Sequence, residues 1–572
     1  MAKGSGAIEH VVVLMLENRS FDQMLGSVPG VEGVLDAGGA LRGDLYNLAD
    51  PTKADSQRFG LNDAAPYAIP TRDVPRSGYG GPSHSFPAAT EQLYGSEDGP
   101  IALPGGVPQT NAGFVKSYEA ELHRVPVKAP SNADVGVVMG GFTQARLPVL
   151  QTLAREFCVC DHWFSEVPGP TEPNRLFMHA ATSMGFAHNV WTHPITARTI
   201  YENLDEAGHD WAFYYYDLSD SNQFPALKKR VDRIHKMDAF FADVASPERL
   251  PTYSFLCPRY GNTARARASS EHAPDDVRYG EWLIADVYEA LRASEVWTRS
   301  LLIVLYDEHG GFYDHVVPPS KGVENPDGLK SPTEYDRKQA ERDPKRDGYL
   351  LEPHYAFDFT RLGLRVPAVL VSPWVAKGQV LSRPLQHTSV LATVKKLFGL
   401  PAFLTRRDAQ AATFEDVLDA LDAPRTDTPE KLPRPALEAT AQADAEALAG
   451  QGLSKAQRDV FQSLSHLDGH DDSGRPLEDT GRLDASQQDL ARYVDARVES
   501  HRRYHERRRA GARFEIYEDR QGEYRWRLRD ESGSNIGSSG EGFKTLEEVR
   551  QAVAQIRELA GCAAVSLPKV KP

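Results

Sequence analysis

Two apolar runs of strand length, nearly three hundred residues apart, end in the same way. His10-Val-Val-Val-Leu-Met-Leu16 runs into Glu17-Asn18-Arg19-Ser20-Phe21-Asp22. Ser300-Leu-Leu-Ile-Val-Leu-Tyr306 runs into Asp307-Glu308-His309-Gly310-Gly311. Neither run alternates apolar with polar. A strand that is apolar at every position is buried on both faces, as in a parallel sheet covered by helices. Open α/β sheets bind ligands just outside the carboxyl ends of their strands. Here both ends carry hard oxygen donors. Adjacent acids before two glycines suit a cation site, because glycine lets backbone approach closely. Taken alone, each cluster also reads as a solvated acidic loop.

The rest of the chain up to about residue 405 fits that class. Further strands are expected at Trp211–Tyr216 and Val366–Val371, and helices at Leu147–Glu156 and Tyr279–Ser294. Such alternation predicts βαβ units and a central mixed, mostly parallel sheet flanked by helices. Long Pro- and Gly-rich stretches, Asn62–Pro87 and Pro318–Pro353, read as functional or disordered loops. Residues 406–510 change character: Ala, Gln, Asp, Glu and Arg dominate, and the segment ends in a basic run, Arg502 to Arg509. This reads as a charged helical connector. Residues 511–572 read as a small separate module. Phe514–Ile516 and Tyr524–Leu528 alternate about a Gln521-Gly522 turn. Thr545-Leu-Glu-Glu548 is a capping box opening a helix with Val549, Val553, Ile556 and Leu559 on one face.

A chain of 572 residues exceeds one ordinary core, so two or more domains are expected. The net charge of −15 argues against nucleic acid as the main partner, because phosphate backbones call for concentrated Lys and Arg. Four cysteines, with Cys158 and Cys160 on one side of a strand, read as reduced thiols, and no Cys-x-x-Cys pair suggests a zinc knuckle. No run is long enough to span a membrane, and the start of the chain lacks a secretory pattern. Cytoplasmic residence is the default expectation, with secretion expected if a leader was removed or another export route is used.

Two more kinds of segment carry candidate chemistry. Val167-Pro-Gly-Pro-Thr171-Glu-Pro-Asn-Arg175 is a rigid loop running into a helix, with Thr171 near the helix N-terminus, where backbone N–H groups favour an anion. A plain N-cap role for Thr171 is the alternative. Histidines stand in loops at His84 (Gly81-Pro-Ser-His-Ser) and His272 (Ser270-Glu-His-Ala-Pro). His387 precedes an amphipathic helix and could face the same site.

Taken together, the segments at residues 17–22, 169–175 and 307–316 resemble the bacterial phosphoesterase family of non-specific phospholipases C and acid phosphatases. Trp297, Pro318-Pro319, Val366-Pro367-Ala368 and His387-Thr388-Ser389 match as well. The resemblance covers about residues 8–405, and the three motifs in order are highly specific. The last sixty residues resemble the YegP-type domain of unknown function. The phosphoesterase resemblance implies an alkaline-phosphatase-like fold. It implies one divalent metal held by Glu17, Asn18, Asp307, Glu308 and Thr171, with the Thr171 hydroxyl as nucleophile. It implies that His84 and His272 act at the phosphoryl oxygens or leaving group; Asn18 and His387 are expected among the substrate contacts. Oxygen donors suit Mg²⁺, Ca²⁺ or Mn²⁺, and Zn²⁺ or iron remain compatible.

Thr at the nucleophile position resembles the phospholipase branch, and Ser the phosphatase branch. Glu172 stands where Asp is common in the motif. The expected activity is therefore metal-dependent hydrolysis of phospholipid or related phosphodiesters through a phospho-threonine. The alternatives are an acid phosphatase of the same family, and a catalytically silent anion-binding scaffold.

Overall fold

The structure is a computed structural model describing residues 4–68, 81–96, 108–124, 132–263, 266–437, 464, 466–467, 487–511, 513–529 and 534–559. The chain divides into two compact units, residues 1–467 with 479–496, and residues 468–478 with 497–572.

The first unit is built on an eight-stranded sheet. Its strands are β1 (His10–Leu16), β2 (Cys158–Cys160), β3 (Trp211–Tyr215), β4 (Ile234–Lys236), β5 (Tyr253–Cys257), β6 (Ser300–Tyr306), β7 (Ala368–Val371) and β8 (Gln379–Leu381), in the spatial order β8-β2-β7-β6-β1-β5-β3-β4. All neighbouring pairs are parallel except those of β7, which runs against both β2 and β6. The sheet is thus mixed and mostly parallel. β1 and β6 lie at its centre and every residue of both is buried. That burial is why both are apolar throughout.

The helices that matter for the site are α1 (Phe86–Tyr94), α2 (Pro148–Glu156), α3 (Thr171–Ala180), α4 (Arg278–Ala293) and α5 (His387–Phe398). α2 begins with a proline, and its free N–H groups are met by a carboxylate from α4: Val149 and Leu150 donate to Glu281 at 2.6 and 2.8 Å. This ties a helix end to the next layer instead of to a local cap. α5 is held likewise, with Thr388 N–H donating to Glu166 Oε1 at 2.7 Å while Arg407 Nη1 sits 2.6 Å from Oε2.

Two expectations need correction. Residues 406–437 are not a helical connector. Beyond short turns at Arg406–Gln410 and Glu415–Ala420 they are irregular and lie on the first unit. Trp282 Nε1 donates to the Pro435 carbonyl, and Glu289 takes Lys431 and Arg434 at 2.8 and 3.0 Å. The stretch Pro318–Pro353 is not a bare loop either. It contains a helix, Glu334–Arg342, with a Thr333/Asp336 capping box. Of the expected long loop Asn62–Pro87, residues 69–80 lie outside the described residues. So do Cys562 and residues 438–463, 465 and 468–486 of the expected connector; Cys158, Cys160 and Cys257 are free thiols. Gln487–Gly511 is helical.

In the second unit, strands β9 (Arg513–Glu518), β10 (Tyr524–Arg529) and β11 (Asn535–Ser538) form an antiparallel sheet in that order. Thr545 and Glu548 close the capping box on the helix Leu546–Leu559, on which Val549 is fully buried.

Candidate active site

The register of the central strands builds the site. Leu16 of β1 pairs with Tyr306 of β6, so Glu17 and Asp307 leave neighbouring strands at the same rim. Asn18 adopts φ +58°, a left-handed conformation that asparagine tolerates better than most residues. In that conformation its N–H donates to Asp307 Oδ1 at 2.9 Å. Glu308 N–H donates to the same oxygen at 2.7 Å, fixing the carboxylate from two sides.

The chain then turns at Gly310, φ +66°, which lies against the Asn18 carbonyl. A Cβ at Gly310 would stand 2.0 Å from that oxygen. Gly310→Ala should therefore cost about 2–5 kcal/mol from combined backbone strain and overlap. A thermal melt indistinguishable from wild type would show that the two strand ends are not locked in this way.

Thr171 is the first residue of α3, with Pro170 as N-cap. The Asn174 side chain bonds the backbone of Val167, Gly169 and Pro170, which makes the preceding loop rigid. Thr171 Oγ1 donates to Asn18 Oδ1 at 3.1 Å, and Asn18 Nδ2 donates to His84 Nε2 at 3.1 Å. His84 Nδ1 lies 3.1 Å from the Pro82 carbonyl, and its Nε2 is 3.9 Å from Glu308 Oε1. The rings of His84 and His272 meet edge to face with centroids 5.3 Å apart. His272 directs Nδ1 to the Ala273 carbonyl, and its Nε2 is buried with no partner. Burial, helped by the neighbouring His84, pushes the His272 imidazole down to about 3, so it is neutral. Glu17, Asn18, Thr171, His84, His272, Asp307 and Glu308 thus form one contiguous cluster.

His387 does not face that cluster. It lies behind it, where Trp163 Nε1 donates to Nδ1 at 3.3 Å and Nε2 donates to the Asp307 main-chain carbonyl at 2.7 Å. Both ring nitrogens are used, which corrects the expectation of a substrate contact. Burial pushes its imidazole down to about 4, so the ring is a neutral strut for Asp307.

Sequence reasoning gave Arg175 no role beyond starting a helix. It stands four residues after Thr171, one turn along α3, and is buried. Its Nε donates to Asp307 Oδ2 at 2.9 Å and its Nη1 to Asp220 Oδ2 at 3.0 Å, while Nη2 is 4.0 Å from Glu17 Oε1. The i, i+4 spacing was the available signal for Arg175. Nothing in the sequence points to Asp220.

One guanidinium cannot balance the acids gathered here. Glu17, Asp307 and Glu308 are buried, and Glu17 Oε1 and Glu308 Oε1 have no hydrogen-bond partner among the described residues. Burial raises all three carboxyls, Glu308 to about 8, and the Asp307 charge pushes both glutamates further up. Orphaned buried carboxylate oxygens beside an amide and a hydroxyl oxygen are the donor set of a hard divalent cation. The cluster fits such an ion.

A second carboxylate–histidine group, Asp22, Asp314 and His315, has ligand atoms within 4.8 Å of one another. Its positive charge is already supplied by Arg365, 2.8 Å from both Asp22 Oδ1 and Asp314 Oδ1.

The chain is 38% identical over 452 residues to a non-specific phospholipase C3 of Arabidopsis thaliana, covering 75% of this chain and 77% of that protein. It is 28% identical over 471 residues to a non-hemolytic phospholipase C of Pseudomonas aeruginosa, covering 77% and 60%. Among solved structures, a Vibrio parahaemolyticus protein in the alkaline phosphatase superfamily aligns over 49% of this chain and 67% of that one, with 14% identity and a TM-score of 0.29. Residues 519–566 match a domain of unknown function, DUF1508, where the YegP-type module is expected. Residues 8–401 match the phosphoesterase family, and the chain belongs to it.

Proposed function

We propose that this protein is a metal-dependent phosphodiesterase of phospholipase C type, acting through a phospho-threonine at Thr171. The observation that carries this reading is the Thr171 hydroxyl on Asn18 Oδ1, at a strand rim where two buried carboxylate oxygens lack partners. The names of the Arabidopsis and Pseudomonas relatives support the substrate class.

Glu17, Asn18, Asp307, Glu308 and Thr171 would hold the cation. When bound, such an ion neutralises phosphoryl charge and lowers the pKa of a coordinated hydroxyl. The chain's own residues do the rest. Pro170 and the Asn174 bonds hold the Thr171 oxygen still, so attack on phosphorus needs little reordering. Thr171 Oγ1 loses its proton to solvent and forms the new P–O bond as the P–O bond to the alcohol breaks in line, and Oγ1 takes a proton back when the phospho-threonine is hydrolysed. His84 and His272 flank that alcohol. His84 or His272 gives a proton to the departing oxygen. Water then attacks the phospho-threonine, an imidazole takes the water's proton, and the phosphorylated head group is released.

The discriminating assay compares p-nitrophenylphosphorylcholine with p-nitrophenyl phosphate at equal enzyme. A phosphodiesterase prefers the first. Preference for the monoester would make the protein a phosphatase, and inertness toward both across a panel of divalent metals would leave the anion-binding scaffold. Glu308→Gln should weaken metal binding more than about 100-fold, beyond the range seen when only an outer partner of a ligand is lost. Wild-type metal content in that variant, by elemental analysis after dialysis, would remove Glu308 from the ligand set.

A further inference from the structure

A well-formed cavity lies away from the cluster of Thr171 and Asp307. It has a volume of about 350 Å³ and is lined by Leu35, Leu41, Met139, Phe142, Tyr313 and Arg155, with none of Glu17, Asn18, Thr171, Asp307 or Glu308 on its wall. That volume is at the lower end of small-molecule sites. Its wall is mostly apolar, with a single cationic side chain.

That cation is unusual in its surroundings. Arg155 stands in the last turn of α2, is half-buried, and its Nε is buried with no hydrogen-bond partner among the described residues. The neighbouring Glu156 is taken by Lys377 and Arg425. Asp22, an acid on the cavity wall, is taken by Arg365 and His315 at 2.8 and 2.7 Å. Asp63, also on the wall, is exposed and makes no ion pair with Arg155 among the described residues. Burial lowers the Arg155 pKa, and no acidic neighbour raises it. A half-buried guanidinium with no paired acid among the described residues is best met by a planar carboxylate or a phosphate.

We propose that this cavity binds a single-chain amphipathic anion, with the chain against Leu35, Leu41, Met139 and Phe142 and the carboxylate or phosphate on Arg155. The site is separate from the one that carries the proposed phosphodiesterase activity, so either reading can fail without the other.

Isothermal titration of the full-length protein with decanoate, decyl phosphate and decanol, each below its micelle concentration, tests the proposal. Decyl phosphate is titrated in a Thr171→Ala background so that it is not turned over. At least one of the two anions should bind one per chain, at least about tenfold more tightly than decanol, as expected for a charge-assisted bond. Preference between the two heads identifies the ligand as a fatty carboxylate or a phosphorylated amphiphile. Arg155→Gln should bring anion binding down to the decanol level while hydrolysis of p-nitrophenylphosphorylcholine persists. Equal affinity for anions and decanol, unchanged anion binding in Arg155→Gln, or no binding of any probe would overturn it. If Arg155→Gln does not fold, Leu41→Trp fills the cavity instead. Anion binding that survives that substitution also overturns the proposal.

Discussion

Thr171→Ala should leave a folded protein with almost no turnover. The side chain gives up one hydrogen bond, to Asn18 Oδ1, so the loss of stability is about 1 kcal/mol. The loss of rate is far larger. A reaction that needs a covalent nucleophile has no short detour once the hydroxyl is gone, and kcat should fall by roughly 10⁴–10⁶. Thr171→Ser keeps the oxygen at the first position of α3 and should keep most of the activity. Two measurements bear on this. Steady-state hydrolysis of a chromogenic diester gives the rate, and peptide mass analysis of acid-quenched wild-type enzyme should reveal the phosphorylated head group esterified to the peptide containing Thr171. An alanine variant retaining a tenth of the wild-type rate would refute the nucleophile assignment, whatever the metal content.

The second large effect is on stability and lies at Arg365. This side chain is fully buried and lies on two carboxylates, Asp22 and Asp314, each at 2.8 Å. It also donates to the carbonyls of Glu32 and Asp161 at 2.8 Å and stacks over Phe21. Arg365→Met fills a similar volume but strands two buried acids, with His315 as the one cation left in direct contact with them among the described residues. Breaking a buried pair from one side costs about 3–5 kcal/mol, because the remaining charge stays desolvated. The urea midpoint of the first unit should move down accordingly. Replacing the whole group, Arg365→Met with Asp22→Asn and Asp314→Asn, should recover part of the loss, since no unpaired charge is left behind. A midpoint unchanged in the single variant would mean that these acids take up protons at little expense and that Arg365 is not their needed partner.

The residues that were legible in the sequence are those whose physics is local. β1 and β6 announce themselves because a strand buried on both faces has no polar position to spare, and α2 and α4 because their apolar residues recur at helical spacing. The acids at the strand ends and the Pro-rich loop before Thr171 were legible for the same reason. What was not legible depends on partners far away in the chain. β4 and β8 are three-residue strands with little pattern of their own. The helix Glu334–Arg342 is polar almost all round, so it shows no apolar stripe, although its capping box was there to be read. Residues 411–437 contain stretches with no regular period, and their place on the first unit depends on Trp282 and Glu289. His387 shows the limit most clearly. A histidine at a helix start has two orientations open to it, and only Trp163 and the Asp307 carbonyl select the one that turns away from the cluster.

The pairing of β1 with β6 also sets a timetable for the chain as it is made. Asn18 and Asp307 are 289 positions apart. A ribosome working at about 5–20 residues per second needs roughly 15–60 s to make the stretch between them. For most of that interval the apolar stretch Val11–Leu16 has neither sheet neighbour, since β5 is also more than two hundred residues downstream. A nascent polypeptide carrying such a segment is a natural client for chaperones that hold exposed hydrophobic strands. Fragments ending before residue 306 should be insoluble rather than partly active.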